Sequence, residues 1–235
     1  MLAVACASIL GMVPVAPTTQ RVSLREELLT LLPAGPPHSI EGRAEELVRE
    51  LELLENVPAT PDFLLFGLSG AWVLRGANVP TDHASGRDEA DDFIDDTSAS
   101  LSASLLDVTQ KIDLETLSVS SVARFSSSTD AAVTEALQGT LSLDASIRPD
   151  PERADTLQFV IAPERRLSLP RAPSGAVVSH LMKDLHTQLP AEFLGEDGVR
   201  LGMQTTYLDE VVRITRCTTR SLATACTVHV RDAGA

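Results

Sequence analysis

Aromatic residues are scarce in this 235-residue chain, which holds six Phe, one Trp and one Tyr. Any core or pocket is therefore lined by Leu, Val, Ile and Ala, and a platform that stacks bases on aromatic faces is excluded. Basic residues are few as well. Nineteen Lys and Arg stand against 33 Asp and Glu, a formal charge of -14, which repels phosphate backbones and anionic head groups within a Debye length. Nucleic acid is thereby excluded as a partner, and a polybasic membrane anchor is absent. Cysteine is limited to Cys6, Cys217 and Cys226. They have no metal-ligand spacing and make no disulfide framework, and free thiols suit a reducing compartment.

The N-terminal apolar run, Leu2 to Ala16, is shorter than the roughly 20 residues of a spanning helix and is interrupted by Pro14 and followed by Pro17. No charged side chain precedes Arg21. Residues 1–20 read as a processed targeting segment. The chain also lacks a nucleophile elbow, a matched pair of carboxylates and a His-rich metal set. It carries no sign of catalysis, of a metal or of a cofactor. What is present is an aliphatic stock, 43% hydrophobic residues, enough for one sizeable domain.

Two leading helices are expected over residues 22–57. Ser23 and Glu26 form a capping box that starts the first, with Leu24, Leu28, Leu31 and Leu32 as its apolar stripe until Pro33. The second runs from Glu41 to Glu55, with Leu47, Leu51 and Leu54 on one face and charged residues on the other. The pattern then changes. Leu68 to Arg75 reads as a first strand, followed by a polar loop over residues 78–104 that packs six acids between Asp88 and Asp96. That run lacks the glycine and the spaced Glu of a calcium loop, so it reads as a solvated segment.

Strands follow in series: Leu105 to Leu114, Leu117 to Phe125, the alternating run Leu137 to Ile147, and Leu157 to Ile161. Ser174 to Leu189 spaces Val177, Val178, Leu181, Met182 and Leu185 as a helix face, with Ser174 as cap and His180 and His186 on the polar side. TTYLDEVVRI closes the chain as a hairpin with its turn at Asp209 and Glu210, before a last strand from Leu222 to Val230. About eight strands without a βαβ rhythm predict a mainly β fold, an antiparallel sheet curled into a barrel over residues 66–230 behind the helical pair. A barrel of about eight strands has room for one small ligand.

Three stretches resemble one family. GAWVL at residues 70–74 is similar to its G-x-W-x-L strand, VTQKIDLETLSVSSVARF at 108–125 to its central hairpin, and TTYLDEVVRITR at 205–216 to its T-T-Y-L-D-E-D-L-R-I-S-R signature. These are the plastid lipid-associated proteins, or fibrillins, and the likeness extends from about Val22 to Val230. It departs at Val211 and Val212, where the family usually has Asp-Leu, and in the acidic loop. The resemblance implies a lipocalin-like barrel in the plastid, at plastoglobules or thylakoids, with a targeting segment removed. It implies partners that are hydrophobic small molecules or lipids, such as carotenoids, prenylquinones or fatty acids, and peripheral contact with a plastid membrane or lipid globule. The alternatives are a coat of plastid lipid globules without a defined ligand, or an accessory factor in prenylquinone synthesis.

Four residues are expected to bind ligand or close the barrel: Trp72, Tyr207, Asp209 and Arg213. In a strict hairpin register Arg213 shares a face with Val211, Cys226 and Val228, and Cys226 lies opposite Arg213. A charge held there needs a partner, available in principle as the Trp72 ring or the Asp209 carboxylate. By resemblance to lipocalins, where such a pair seals the floor, Trp72 is favoured. Tyr207 and Asp209 are expected to orient a polar head or brace the turn.

Overall fold

Period-two stretches bury every second side chain: Leu141, Leu143, Ala145 and Ile147 all point into one core. A computed structural model describes residues 18–54, 60–78, 101–129, 137–162, 164–170, 175–186, 188–194, 200–219, 222, 225–232 and 234. Residues 1–17 of the expected targeting segment, with Cys6, the run Asp88–Asp96, the Ser174 cap and the side chains of Val177, His180 and His186 lie outside this description, while residues 18–20 open the first helix.

The elements are, in order, α1 (Thr18–Leu31), β1 (His38–Ser39), α2 (Arg43–Glu52), α3 (Pro61–Leu68), β2 (Gly70–Asn78), β3 (Leu101–Asp113), β4 (Ser118–Thr129) and β5 (Leu137–Pro149). Next come β6 (Thr156–Ile161), β7 (Arg166–Ser168), α4 (Gly175–His186), α5 (Ala191–Leu194), β8 (Arg200–Leu208), β9 (Val212–Cys217) and β10 (Cys226–Arg231). Eight strands close a ring in the order β2, β10, β9, β8, β6, β5, β4, β3 and back to β2, each pair antiparallel. The fold is thus mainly β, a closed antiparallel barrel consistent with a lipocalin-like one.

The seam of the ring is short. Only Gly70 to Val73 pair with Thr109 to Ile112 before β2 and β3 part, and both freed edges are covered, as an exposed edge must be. On β2 the cover is β1, paired in parallel at Gly76 and Ala77. On β3 it is α4 and the turn after it. Asp184 Oδ2 accepts from the Ala103 amide at 3.1 Å, Gln188 Oε1 accepts from the Leu105 amide at 2.9 Å, and Gln188 Nε2 donates to the Ala103 carbonyl at 2.8 Å.

Two apolar cores lie on opposite sides of the barrel wall. The interior core joins Leu64, Trp72, Phe125, Leu143 and Phe159, among others. The outer core packs Leu24 and Leu28 of α1, Leu32 just past its end, and Leu47, Val48 and Leu51 of α2 on Tyr207, Val212, Ile214, Cys226 and Val228. The helical pair is therefore a cover for one flank, pinned by Glu52, whose carboxylate takes Arg216 Nε at 2.6 Å, Arg216 Nη2 at 2.9 Å and the Thr206 hydroxyl at 2.7 Å.

Several expectations are corrected. The first helix begins at Thr18, so Ser23 lies a turn inside it and no capping box forms; residues 18–22 hold no helix breaker. Leu31 leaves the stripe and is 43% exposed, because the buried row is the strict i+4 series Leu24, Leu28, Leu32. The second helix is shorter than expected, Arg43–Glu52. Leu68 ends a helix, α3, instead of starting a strand: Pro61 opens it, and its short, nearly continuous apolar run shows no helical period. The loop expected to reach Ser104 ends by Leu101, where β3 starts. Leu117 sits in the β3–β4 turn with φ 49°; there the Asp113 carboxylate accepts the amides of Glu115 and Thr116.

Candidate functional site

Strands β9 and β10 are inside out. Their apolar residues Val212, Ile214, Cys226 and Val228 face the helices, so the alternate set Arg213, Thr215, Thr227 and His229 turns into the barrel and is buried. The expected register is off by three residues. Arg213 pairs across the ladder with His229, and Cys226 with Arg216. A shift by an odd number of places exchanges the two faces of a strand, so Arg213 has polar neighbours in place of Val211, Cys226 and Val228. Cys217 belongs to the interior core and Cys226 to the outer one, and both are free thiols.

Bulges sort the four expected site residues into two places. In β8 Thr205 pairs with Thr215 and Tyr207 with Ile214, leaving Thr206 as the extra residue. Tyr207 would continue the inward set Leu201, Met203 and Thr205 by alternation; the bulge sends it out under the helical pair. There its hydroxyl donates to Asp209 Oδ2 at 2.7 Å. Arg25 of α1 reaches the same oxygen at 3.1 Å, and Asp209 Oδ1 accepts the amides of Val211 and Val212 at 2.8 and 2.6 Å. Burial, then the Asp209 contact, pushes the Tyr207 hydroxyl far above its ordinary range. Glu210 at the tip binds Arg25 at 2.7 Å, a bond that holds its carboxyl below the usual value.

Trp72 and Arg213 meet inside the barrel. The Arg213 guanidinium carbon is 5.1 Å from the Trp72 ring centroid, within cation–π range, and Trp72 Nε1 donates to the Leu68 carbonyl of α3 at 2.7 Å. Asp209, the other partner considered, lies on the far side of the wall. A second arginine, Arg231, also stacks on Trp72, at 4.3 Å, and donates to the carbonyls of Gly67, Ser69 and Glu210. Sequence reading missed it, although its alternation with Thr227 and His229 on β10 was a signal for it.

Arg213 is 4% exposed, and its Nη2 donates to Gln110 Oε1 of β3 at 2.6 Å. Gln110 Nε2 in turn lies 3.3 Å from both Ser121 Oγ and Glu192 Oε1. Glu192 comes from α5, a helix of four residues, and is 1% exposed. Sequence reading also missed Gln110, Glu192 and His229, because only the closed ring brings strands and helix segments so distant in sequence together. Burial pushes the Glu192 carboxyl up and the Arg213 guanidinium down to about 10. Burial and then the Arg213 charge hold His229 well below 6.5. Among the described residues, Glu192 Oε2, Arg213 Nε, Thr215 Oγ1, Thr227 Oγ1 and both His229 nitrogens find no hydrogen-bond partner. The cavity lined by Glu192, Arg213, Thr215 and His229 has a volume of about 10 Å³, room for a single water.

The PAP_fibrillin family model matches residues 37–223. The chain belongs to the PAP/fibrillin family. The matched span takes in β1 to β9 and leaves α1 and the closing strand β10 outside it. No curated protein and no solved structure registers as similar to the chain. Membership and the barrel are consistent with association with lipid. No helix among the described residues is long and apolar enough to cross a membrane, and no cluster of His, Cys, Asp or Glu among them could hold a metal.

Proposed function

We propose that this family member binds a hydrophobic plastid metabolite, a prenylquinone, carotenoid or fatty acid, inside its barrel without transforming it. It does so while peripherally associated with plastoglobules or thylakoids, its residues 1–20 having been removed as a targeting segment, and residues 22–230 act as one lipid-associated unit. Trp72 and Arg213 close and anchor the interior site; Tyr207 and Asp209 brace the wall from outside.

The supporting observation is the buried cluster of Gln110, Glu192, Arg213 and His229 with its unpartnered polar atoms. A barrel that served only as scaffold would lose little, or gain, by an apolar filling, since replacing buried ionic groups with well-packed hydrophobes is often neutral or stabilising. A charge retained beside apolar walls suits an amphiphile whose head needs a polar partner. Burying six to eight methylenes contributes roughly 5 to 6 kcal/mol, against the entropy of association, so the head contact decides the affinity. With a cavity of about 10 Å³, entry requires the side chains of α5 to give way.

That filled interior also favours a second reading, a coat protein that meets lipid through its surface, where Phe66 is 76% and Leu53 80% exposed. Incubating the purified protein with plastid lipid extract, repurifying it and extracting the bound lipid separates the two. Recovery of one species near one equivalent supports carriage; a bulk mixture in no fixed ratio supports the coat.

A further inference from the structure

Every polar group of the interior cluster but one is supplied by the rigid ring of strands: Gln110 and Ser121 by β3 and β4, Arg213 and Thr215 by β9, Thr227 and His229 by β10. The exception is Glu192, the cluster's one acid, which enters from the four-residue α5. Its Oε1 touches the Gln110 amide at 3.3 Å, the same side chain whose oxygen holds Arg213, while its Oε2 has no partner among the described residues. The strand-borne set without it comprises a guanidinium with a free Nε, an amide donor, three hydroxyls and the His229 imidazole, of which the guanidinium and the amide donor match a planar, two-oxygen anion. The wall beside it is apolar, lined by Leu68, Ile112, Leu157, Phe159 and Met203.

We infer that Glu192 is an internal stand-in for the head of the ligand: the cluster around Arg213 is a site for a carboxylate-headed amphiphile, whose acid group exchanges with the Glu192 side chain while its apolar tail takes the space of Glu192 and Phe193. The inference rests on the reading of the barrel as a carrier. It assigns the head chemistry, which that reading leaves open, because an arginine stripped of Glu192 in an apolar interior needs an anion. A neutral ester or quinone head leaves that charge unmatched.

The test measures binding of oleate and of methyl oleate to the full chain and to Glu192→Ala, by displacement of a fluorescent fatty acid and by thermal shift. The expected result is an oleate affinity at least about tenfold higher in Glu192→Ala than in the parent, with methyl oleate unchanged. Adding Arg213→Gln to Glu192→Ala then abolishes the preference for the acid. If Glu192→Ala does not fold, Glu192→Gln, which keeps the shape and drops the acid, carries the same expectation. Equal uptake of acid and ester by the variant, or an oleate affinity no higher than that of the parent, overturns the assignment of Glu192 and leaves carriage standing. Failure of parent and variant, both folded by circular dichroism, to take up either probe overturns carriage and the assignment with it.

Discussion

Asp209 has a 1% exposed side chain and serves four donors at once: the Tyr207 hydroxyl, Arg25 and two amides of its own turn. Its removal strands all four, so Asp209→Ala is expected to lose about 3 kcal/mol of stability with lipid binding per folded molecule unchanged. Tyr207→Phe removes one bond and leaves the rest, and about 1 kcal/mol is expected. Urea unfolding of both variants checks the ranking. A binding defect in folded Asp209→Ala would return the residue to the ligand site. His229 gives a pH test. Its folded-state pKa lies well below 6.5, so between pH 6.5 and 5 the unfolded chain takes up a proton that the native state refuses. Stability is fully present above pH 6.5 and falls with pH below it, by about 1 kcal/mol between pH 7 and 5.5. In His229→Gln this part of the slope is expected to vanish.

At the scale of elements, the helical pair is held by few polar contacts and one close approach. An added Cβ at Gly76 would stand 2.9 Å from Leu32 Cδ1 and 3.0 Å from Ile40 Cγ1, so glycine there is what lets α1 and β1 seat on β2. Gly76→Ala is expected to cost about 1–2 kcal/mol by overpacking. Glu52→Ala should speed amide exchange in α2 while β4, paired on both sides, keeps its protection; equal acceleration in both would show that α2 unfolds only with the barrel. Strand identity was legible wherever alternation was regular, as in β5 and β6. It failed at bulges. The extra residues Arg75 and Thr206 each reverse the facing of the rest of their strand, and the only sign in sequence is two apolar residues in a row, as at Tyr207 and Leu208. α5 left no sign at all, since four residues hold too few turns for a period.

For the whole molecule, the C-terminal motif and the strand count were enough to anticipate a barrel, and leucine spacing the helical pair before it, but not that the pair covers one flank. The pairing of Trp72 with Arg213 was expected from the resemblance to lipocalins and from the need of a charge beside apolar side chains for a partner. The polar interior of β9 and β10 was not, because it depends on which flank the helices cover: the covered outer face takes the apolar residues and leaves the polar ones inside. That inversion places a charged cluster in the barrel beside the chain's only tryptophan. Trp72 emission therefore reports directly on the central claim, that a hydrophobic metabolite binds inside the barrel. Titration with a brominated fatty acid, whose bromines quench a nearby indole, should quench that emission saturably at one equivalent per chain. Emission that stays constant while the protein still floats with lipid vesicles would contradict it and leave surface association in its place.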